Sequence, residues 1–248
     1  MAKFIKERGW LILLFLGASV LVYYVHYLIF HDIHHIFIYL IGDLGFLFLD
    51  VMLVVIVIEQ ILVQREKKIR LYKLNMLIGA FFSQVGQGLI RQLVPLFSGL
   101  EGLKPNLLFQ PHWQKKDFDQ AARKLLPASF DIKAGPEDLA RLRTFLMPQR
   151  HFLLSLLANP SLLEHESFTD LLWAIFHLAE ELDFRPEEMA DLPTSDLQHL
   201  NNDIKRVAGL LLEAWIHYAY HLKENYPFLF SLLVRVNPLW PQSTAIVS

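Results

Sequence analysis

The sequence contains no cysteine. This absence excludes disulfide bonds, thiolate metal sites, thiol nucleophiles and cysteine-anchored lipids. The chain as a whole also has no excess of basic charge, because its formal net charge is −2. Zinc-finger spacing and RNA-binding aromatic motifs are absent as well. We therefore expect no nucleic-acid partner.

The familiar catalytic motifs are missing. The chain has no phosphate-binding G-x-x-x-x-G-K-[ST], no G-x-G-x-x-G, no G-x-S-x-G and no H-E-x-x-H. The stretch "HESFT" at 165–169 lacks the second histidine of the last motif. The sequence therefore indicates no enzymatic reaction.

Long apolar runs are present instead, and hydrophobic residues make up 54 % of the chain, more than in most soluble domains. Residues 10–30 contain no Asp, Glu, Lys or Arg, and at ~1.5 Å per residue this run spans the ~30 Å hydrocarbon slab of a bilayer. A second run covers about 35–63, and His31, Asp32 and His34 lie between the two. We predict an uncleaved transmembrane helical hairpin.

Basic residues predict the orientation of this hairpin. Lys3, Lys6 and Arg8 precede the first span, basic residues at 65–73 follow the second, and the connecting loop has no Lys or Arg. Because cytoplasmic flanks carry the excess of positive charge, we expect an integral inner-membrane protein with both termini in the cytoplasm.

The remaining sequence predicts an all-α protein in four parts. Residues 1–64 form the hairpin, and the second span continues as a basic stalk helix over 65–97, because 46–78 contains neither Gly nor Pro. A Gly- and Pro-rich linker covers 98–112. The cytoplasmic domain, 113–248, is expected to contain helices near 114–126, 136–147, 149–158, 160–183 with a break near Glu164, 195–225 and 227–236.

Two carboxylates in the second span predict a pore. Asp43 and Asp50 are seven residues apart and share one face of the helix. A charge at the bilayer centre costs roughly 2.5–3.5 kcal/mol, so Asp50 should face protein or water. We expect a homo-oligomeric channel for inorganic cations, gated by the cytoplasmic domain, with the acids as a vestibule. Its hydrophobic constriction would be formed by Val54, Val57 and Ile61.

A second hypothesis has no pore. Asp50 would then be protonated and would hydrogen-bond across helices, with Gly42 and Gly45 allowing close packing. Glu59 lies on the opposite side of the helix and is expected to be structural. The protein would be a membrane-anchored interaction or sensor module for a cytoplasmic protein partner.

Two groups of residues are candidate ligands for a divalent metal, which gives a third hypothesis of a metal-binding helical domain. The loop group can bind metal, titrate near neutral pH or simply be solvated, and it comprises His31, Asp32, His34 and His35. The second group consists of i, i+4 pairs, which can equally be plain helix-stabilising pairs: His177 with Glu181, His199 with Asp203, and His217 with His221. No other cofactor is expected.

Three segments carry a resemblance to known sequences: "HHIFIYLIGD", "LNMLIGAFFSQVG" and "HLKENYPFLFSLLVRVNP". With them the chain resembles an uncharacterised family of bacterial two-span membrane proteins with a helical cytoplasmic domain. The resemblance implies a bacterial inner-membrane setting. It implies no activity, so no functional residue is transferred from it.

Overall fold

The computed structural model describes residues 2–125, 130–162, 165–240 and 244–246, without the side chains of residues 2–9, 12 and 100. The chain divides into two compact units, Met1–Lys67 and Lys68–Ser248. We refer to them as the hairpin unit and the helical body.

The hairpin unit consists of two helices joined by a two-residue turn. Helix α1 spans Ala2–Phe30 and helix α2 spans Ile33–Phe81, so only His31 and Asp32 separate them. His31 adopts a left-handed conformation with φ of 53°, an uncommon backbone state for a non-glycine residue. This residue reverses the chain direction in a single step.

Aromatic rings join the two helices next to the turn. The ring centroids of His26 and His35 are 6.0 Å apart, and those of His35 and Tyr39 are 4.7 Å apart. His26 also contacts Phe30 at 4.7 Å. Helices α1 and α2 therefore run antiparallel where they leave the turn.

The surface of the hairpin is apolar and exposed. An 18-residue window in Leu13–Phe30 has a mean hydropathy of 2.0, one in the helical stretch starting at Ile33 reaches 2.6, and neither window contains a buried residue. By length and composition both helices could cross a membrane.

The C-terminal end of α2 belongs to the helical body. The helix continues through a π-helical turn, Phe82–Gly86, into α3, Gln87–Leu93. Its buried side chains include Leu74, Phe81 and Phe82. The segment over 65–97, predicted as a helical continuation of the second span, therefore contributes apolar residues at helical spacing to the core of the body.

The predicted linker over 98–112 also lies within the body. Leu103, Leu107 and Phe109 are buried there, and the Asn237 amide donates a 2.9 Å hydrogen bond to the Leu107 carbonyl oxygen. The Gly and Pro residues end helices, but the apolar residues between them fill the core.

The body is helical, which confirms the all-α prediction. A two-stranded antiparallel ladder pairs β1, Phe97–Ser98, with β2, Asp131–Ile132, and places Phe97 opposite Ile132. The remaining helices are α4 Lys104–Leu107, α5 Lys115–Arg123, α6 Pro136–Leu146, α7 Arg150–Leu157, α8 Glu166–Asp183, α9 Thr194–Asn225 and α10 Pro227–Arg235. The break expected near Glu164 falls outside the described residues.

Helix α9 organises the core. It packs against α8, α10 and α5, and its Trp215 is fully buried. The Trp215 ring lies 5.2 Å from the Phe82 ring and 6.1 Å from the Phe109 ring. The packing of α8 on α9 also fixes the mutual position of their charged side chains.

Candidate functional site

We call Asp43 and Asp50, together with Val54, Val57 and Ile61 on the same face of α2, the acidic stripe. This stripe is solvent-exposed. Asp43 and Asp50 are exposed, and neither forms a hydrogen bond or ion pair with another described residue. The other members of the stripe, Val54, Val57 and Ile61, are also about half exposed. The hairpin alone therefore provides no cover for these carboxylates.

Two glycines in the membrane-length part of α2, Gly42 and Gly45, face open space. A Cβ atom placed on Gly42 or Gly45 would meet no atom within 4 Å. The close helix packing expected at these positions does not occur between α1 and α2. Both positions remain accessible to another chain.

The residues of the turn have local structural roles. The Asp32 carboxylate caps α2, because its Oδ1 accepts hydrogen bonds from the backbone N–H groups of His34 (2.9 Å) and His35 (3.3 Å). His35 lies in the ring cluster, and His31 contacts the Tyr27 ring at 6.0 Å. The four predicted loop ligands do not converge on one point.

Helices α8 and α9 bring two histidines and one carboxylate together. The Nε2 atom of His199 lies 3.4 Å from Asp203 Oδ2, and the Nε2 atom of His177 lies 3.7 Å from the same oxygen. Among the described residues, these three are the group of His, Asp and Glu side chains whose ligand atoms all lie within 4.8 Å of one another. We call them the His-His-Asp cluster.

Glu181 borders this cluster and joins it to a charged network. Its carboxylate oxygens lie 3.9 Å from His177 Nε2 and 3.7 Å from His199 Nε2. Arg185 donates a 2.6 Å hydrogen bond to Glu181 Oε2. That hydrogen bond is the main reason why the pKa of the Glu181 carboxyl is below its ordinary value, so Glu181 stays ionised beside the two imidazoles.

The predicted pair His217 and His221 does not join the cluster. His217 lines a cavity of about 330 Å³ together with Glu213 and His165. His221 lines a second cavity of about 420 Å³, which also includes Tyr72 and Tyr226. Tyr218 borders both cavities. The two histidines therefore line different cavities.

Burial changes the acid–base properties of this second cavity. It lowers the pKa of His221, and it raises the pKa of Tyr218. The His221 Nδ1 atom is 3.1 Å from the Asn225 amide nitrogen. Both His221 and Tyr218 therefore favour their neutral forms.

The sequence pattern predicted some of the residues in this charged cluster. The i, i+4 spacing picked out His177, Glu181, His199 and Asp203, because helix geometry makes such pairs neighbours. Arg185 and Asp196 were missed, since they lie on either side of an irregular segment that carries no periodicity. Their charge and their position at the adjoining ends of two helices were the only available signal.

Comparison with known proteins gives two family-model matches and one close relative. Residues 2–62 match the model described as "MJ1433, N-terminal helical domain", and residues 70–235 match "Uncharacterized protein MJ1433, C-terminal helical domain". The chain is 43 % identical over 228 residues to the Methanocaldococcus jannaschii protein described as "Uncharacterized protein MJ1433". The aligned region covers 92 % of this chain and 91 % of the relative. No solved structure matches the chain.

Proposed function

We propose that this chain, which belongs to the MJ1433 family of proteins with N- and C-terminal helical domains, is a two-span membrane protein that self-assembles and conducts cations along α2. The observation that carries the proposal is the exposed acidic stripe. Two carboxylates with no partner among the described residues lie on an apolar surface.

The apolar surface supports the membrane part of the proposal. Large contiguous apolar surfaces are rare on soluble monomers and mark membrane or protein contacts. Here nearly every described side chain of 10–63 is exposed. A bilayer would cover this surface, with both termini on its cytoplasmic side.

The carboxylates support self-assembly. Asp50 in hydrocarbon would cost roughly 2.5–3.5 kcal/mol, and neither α1 nor any other described part of the chain covers it. A second copy would remove the stripe from lipid, and the open positions Gly42 and Gly45 would allow close approach of its helices.

A ring of copies would turn the stripe into an ion path. Asp43 and Asp50 are about 10.5 Å apart along the helix axis at ~1.5 Å per residue, and repeated around an axis they would concentrate cations. Below them Val54, Val57 and Ile61 would form an apolar constriction that closes the path when dry. Cytoplasmic helices would control its opening.

Native mass spectrometry followed by bilayer recording tests the proposal. We expect closed oligomers of about four or more chains, and cation currents that change in conductance or ion preference in Asp50→Asn. The matched control is Glu59→Gln, which removes a carboxylate from the opposite side of α2 and should leave the currents unchanged. Monomers or dimers alone, or identical currents in wild type and Asp50→Asn, would refute the channel.

A membrane-anchored module without a pore is the second candidate. It is favoured by one observation: the buried core of the helical body uses described residues from Leu74 onward and none from the hairpin. In this case an unrelated two-span anchor could replace residues 1–67, and the body would keep its fold and its partner.

A further inference from the structure

We propose that the His-His-Asp cluster, formed by His177, His199 and Asp203, is a binding site for a divalent transition metal such as Zn²⁺. The cluster lies between α8 and α9, and its three side chains approach one another from two helices. The inference is independent of any membrane function, since every residue involved lies in the helical body.

The ligand atoms of the cluster converge at distances typical of a metal site. Metal–nitrogen and metal–oxygen bonds of 2.0–2.2 Å place tetrahedral ligands about 3.3–3.6 Å apart. The Nε2 atoms of His199 and His177 lie 3.4 Å and 3.7 Å from Asp203 Oδ2. Two of the three edges of the cluster thus match a metal site with movements of a few tenths of an ångström.

One carboxylate oxygen of the cluster is unsatisfied. Asp203 Oδ2 is buried and has no hydrogen-bond partner among the described residues. Leaving such a group unpaired costs free energy, so nearly all buried polar atoms in native proteins have partners. Both imidazoles approach this oxygen at distances longer than an ordinary hydrogen bond. A metal ion bound by all three groups would satisfy it.

The charges around the cluster also favour a bound cation. Arg185 compensates Asp196 and part of the charge of Glu181, whereas among the described residues the ion-pair contacts of Asp203 are those with the two imidazoles. A divalent cation would neutralise Asp203 and would be attracted by the nearby Glu181 carboxylate. Imidazole nitrogens with a carboxylate oxygen are a ligand set that suits first-row transition metals.

The accessibility of the cluster determines the kind of site. The side chains of His177 and His199 are 49 % and 51 % exposed, and Asp203 is 17 % exposed. Three protein ligands at the surface leave at least one coordination position open to water or another ligand. The site would therefore exchange its ion with solvent, unlike a closed structural zinc site.

Calorimetric titration of the purified full-length chain with Zn²⁺ tests the inference. We expect one ion per chain in the wild type. Asp203→Asn, which preserves shape and removes the charge, and His199→Gln should each raise the dissociation constant at least tenfold. The matched control is His217→Gln, which removes a histidine of the same helix outside the cluster and should bind like the wild type.

Two further measurements distinguish a loss of metal binding from a loss of folding. Circular dichroism of each variant without metal should match the wild type, so a loss of binding does not reflect unfolding. Added Zn²⁺ should raise the melting temperature of the wild type and of His217→Gln but not that of Asp203→Asn. Equal Zn²⁺ affinity in Asp203→Asn and wild type, or no saturable binding by the wild type, would overturn the inference.

Discussion

The guanidinium of Arg185 clamps the carboxylate of Asp196: Nε donates to Oδ2 and Nη2 donates to Oδ1, each at 2.7 Å. Arg185 follows α8 and Asp196 lies in the first turn of α9. The same guanidinium also bonds Glu181. One side chain therefore holds together the adjoining ends of the two helices that carry the His-His-Asp cluster.

Replacing this arginine should destabilise the helical body. In Arg185→Gln the carboxylates of Glu181 and Asp196 lose charged donors, and we expect the free energy of unfolding to fall by about 2 kcal/mol. Chemical denaturation measures the change. Arg206→Gln, at an exposed position of α9, is the control and should stay within about 0.5 kcal/mol of wild type.

The same clamp predicts a dependence on acid. The hydrogen bonds from Arg185 lower the pKa of Glu181 and of Asp196. A carboxyl with a lowered folded-state pKa stabilises the protein above its ordinary pKa, near 4, and loses this contribution as the pH falls through the folded value. Thermal melts from pH 6 to pH 3 should show a smaller loss in Arg185→Gln than in wild type. Parallel curves would contradict the prediction.

The buried His221 side chain predicts a second dependence of stability on pH, which arises from a base rather than from a carboxyl group. Burial lowers its pKa, so the unfolded chain binds the proton more readily and the folded state loses stability as the pH falls below about 6.5. In His221→Gln the decline in melting temperature between pH 7.5 and pH 5.5 should be smaller. His151→Gln, at an exposed position of α7, should leave the decline unchanged.

Two glycines of the same helical segment should respond oppositely to alanine. A Cβ atom on Gly86 would lie 2.9 Å from Phe81 Cε1 and closer still to the Phe82 ring, and both rings are fully buried. Overpacking of this kind costs about 1–3 kcal/mol. At Gly79 the nearest atom is 3.8 Å away, so Gly79→Ala should be neutral or stabilise by up to about 1 kcal/mol. Equilibrium unfolding of the two variants gives both values.

Helix periodicity and punctuation allowed the helices to be predicted from the sequence. Pro136 begins α6 as expected, and the Asp138 carboxylate accepts a hydrogen bond from the Gly135 N–H, the arrangement that a helix start favours. Elements that depend on tertiary contacts were not predicted. The paired strands are only two residues long, and such a ladder leaves no alternating pattern in the sequence.

The candidate sites show the same limit. Local spacing identified His199 with Asp203, but only the packing of α8 on α9 adds His177 to the same oxygen. Local spacing also grouped His217 with His221, although the fold separates them into two cavities. The membrane setting, the bacterial origin and the pore stay predictions, because the 43 % identical relative is an archaeal protein described as uncharacterised.

The contact between the Phe82 and Trp215 rings can form only late in translation. Trp215 follows Phe82 by 133 positions, and at ~5–20 residues per second a ribosome needs roughly 7–27 s to synthesise that interval. The apolar C-terminal end of α2 is therefore synthesised long before α9, which covers it in the folded body. A transcript truncated before α9 would leave this segment uncovered permanently and expose it to chaperones and proteases.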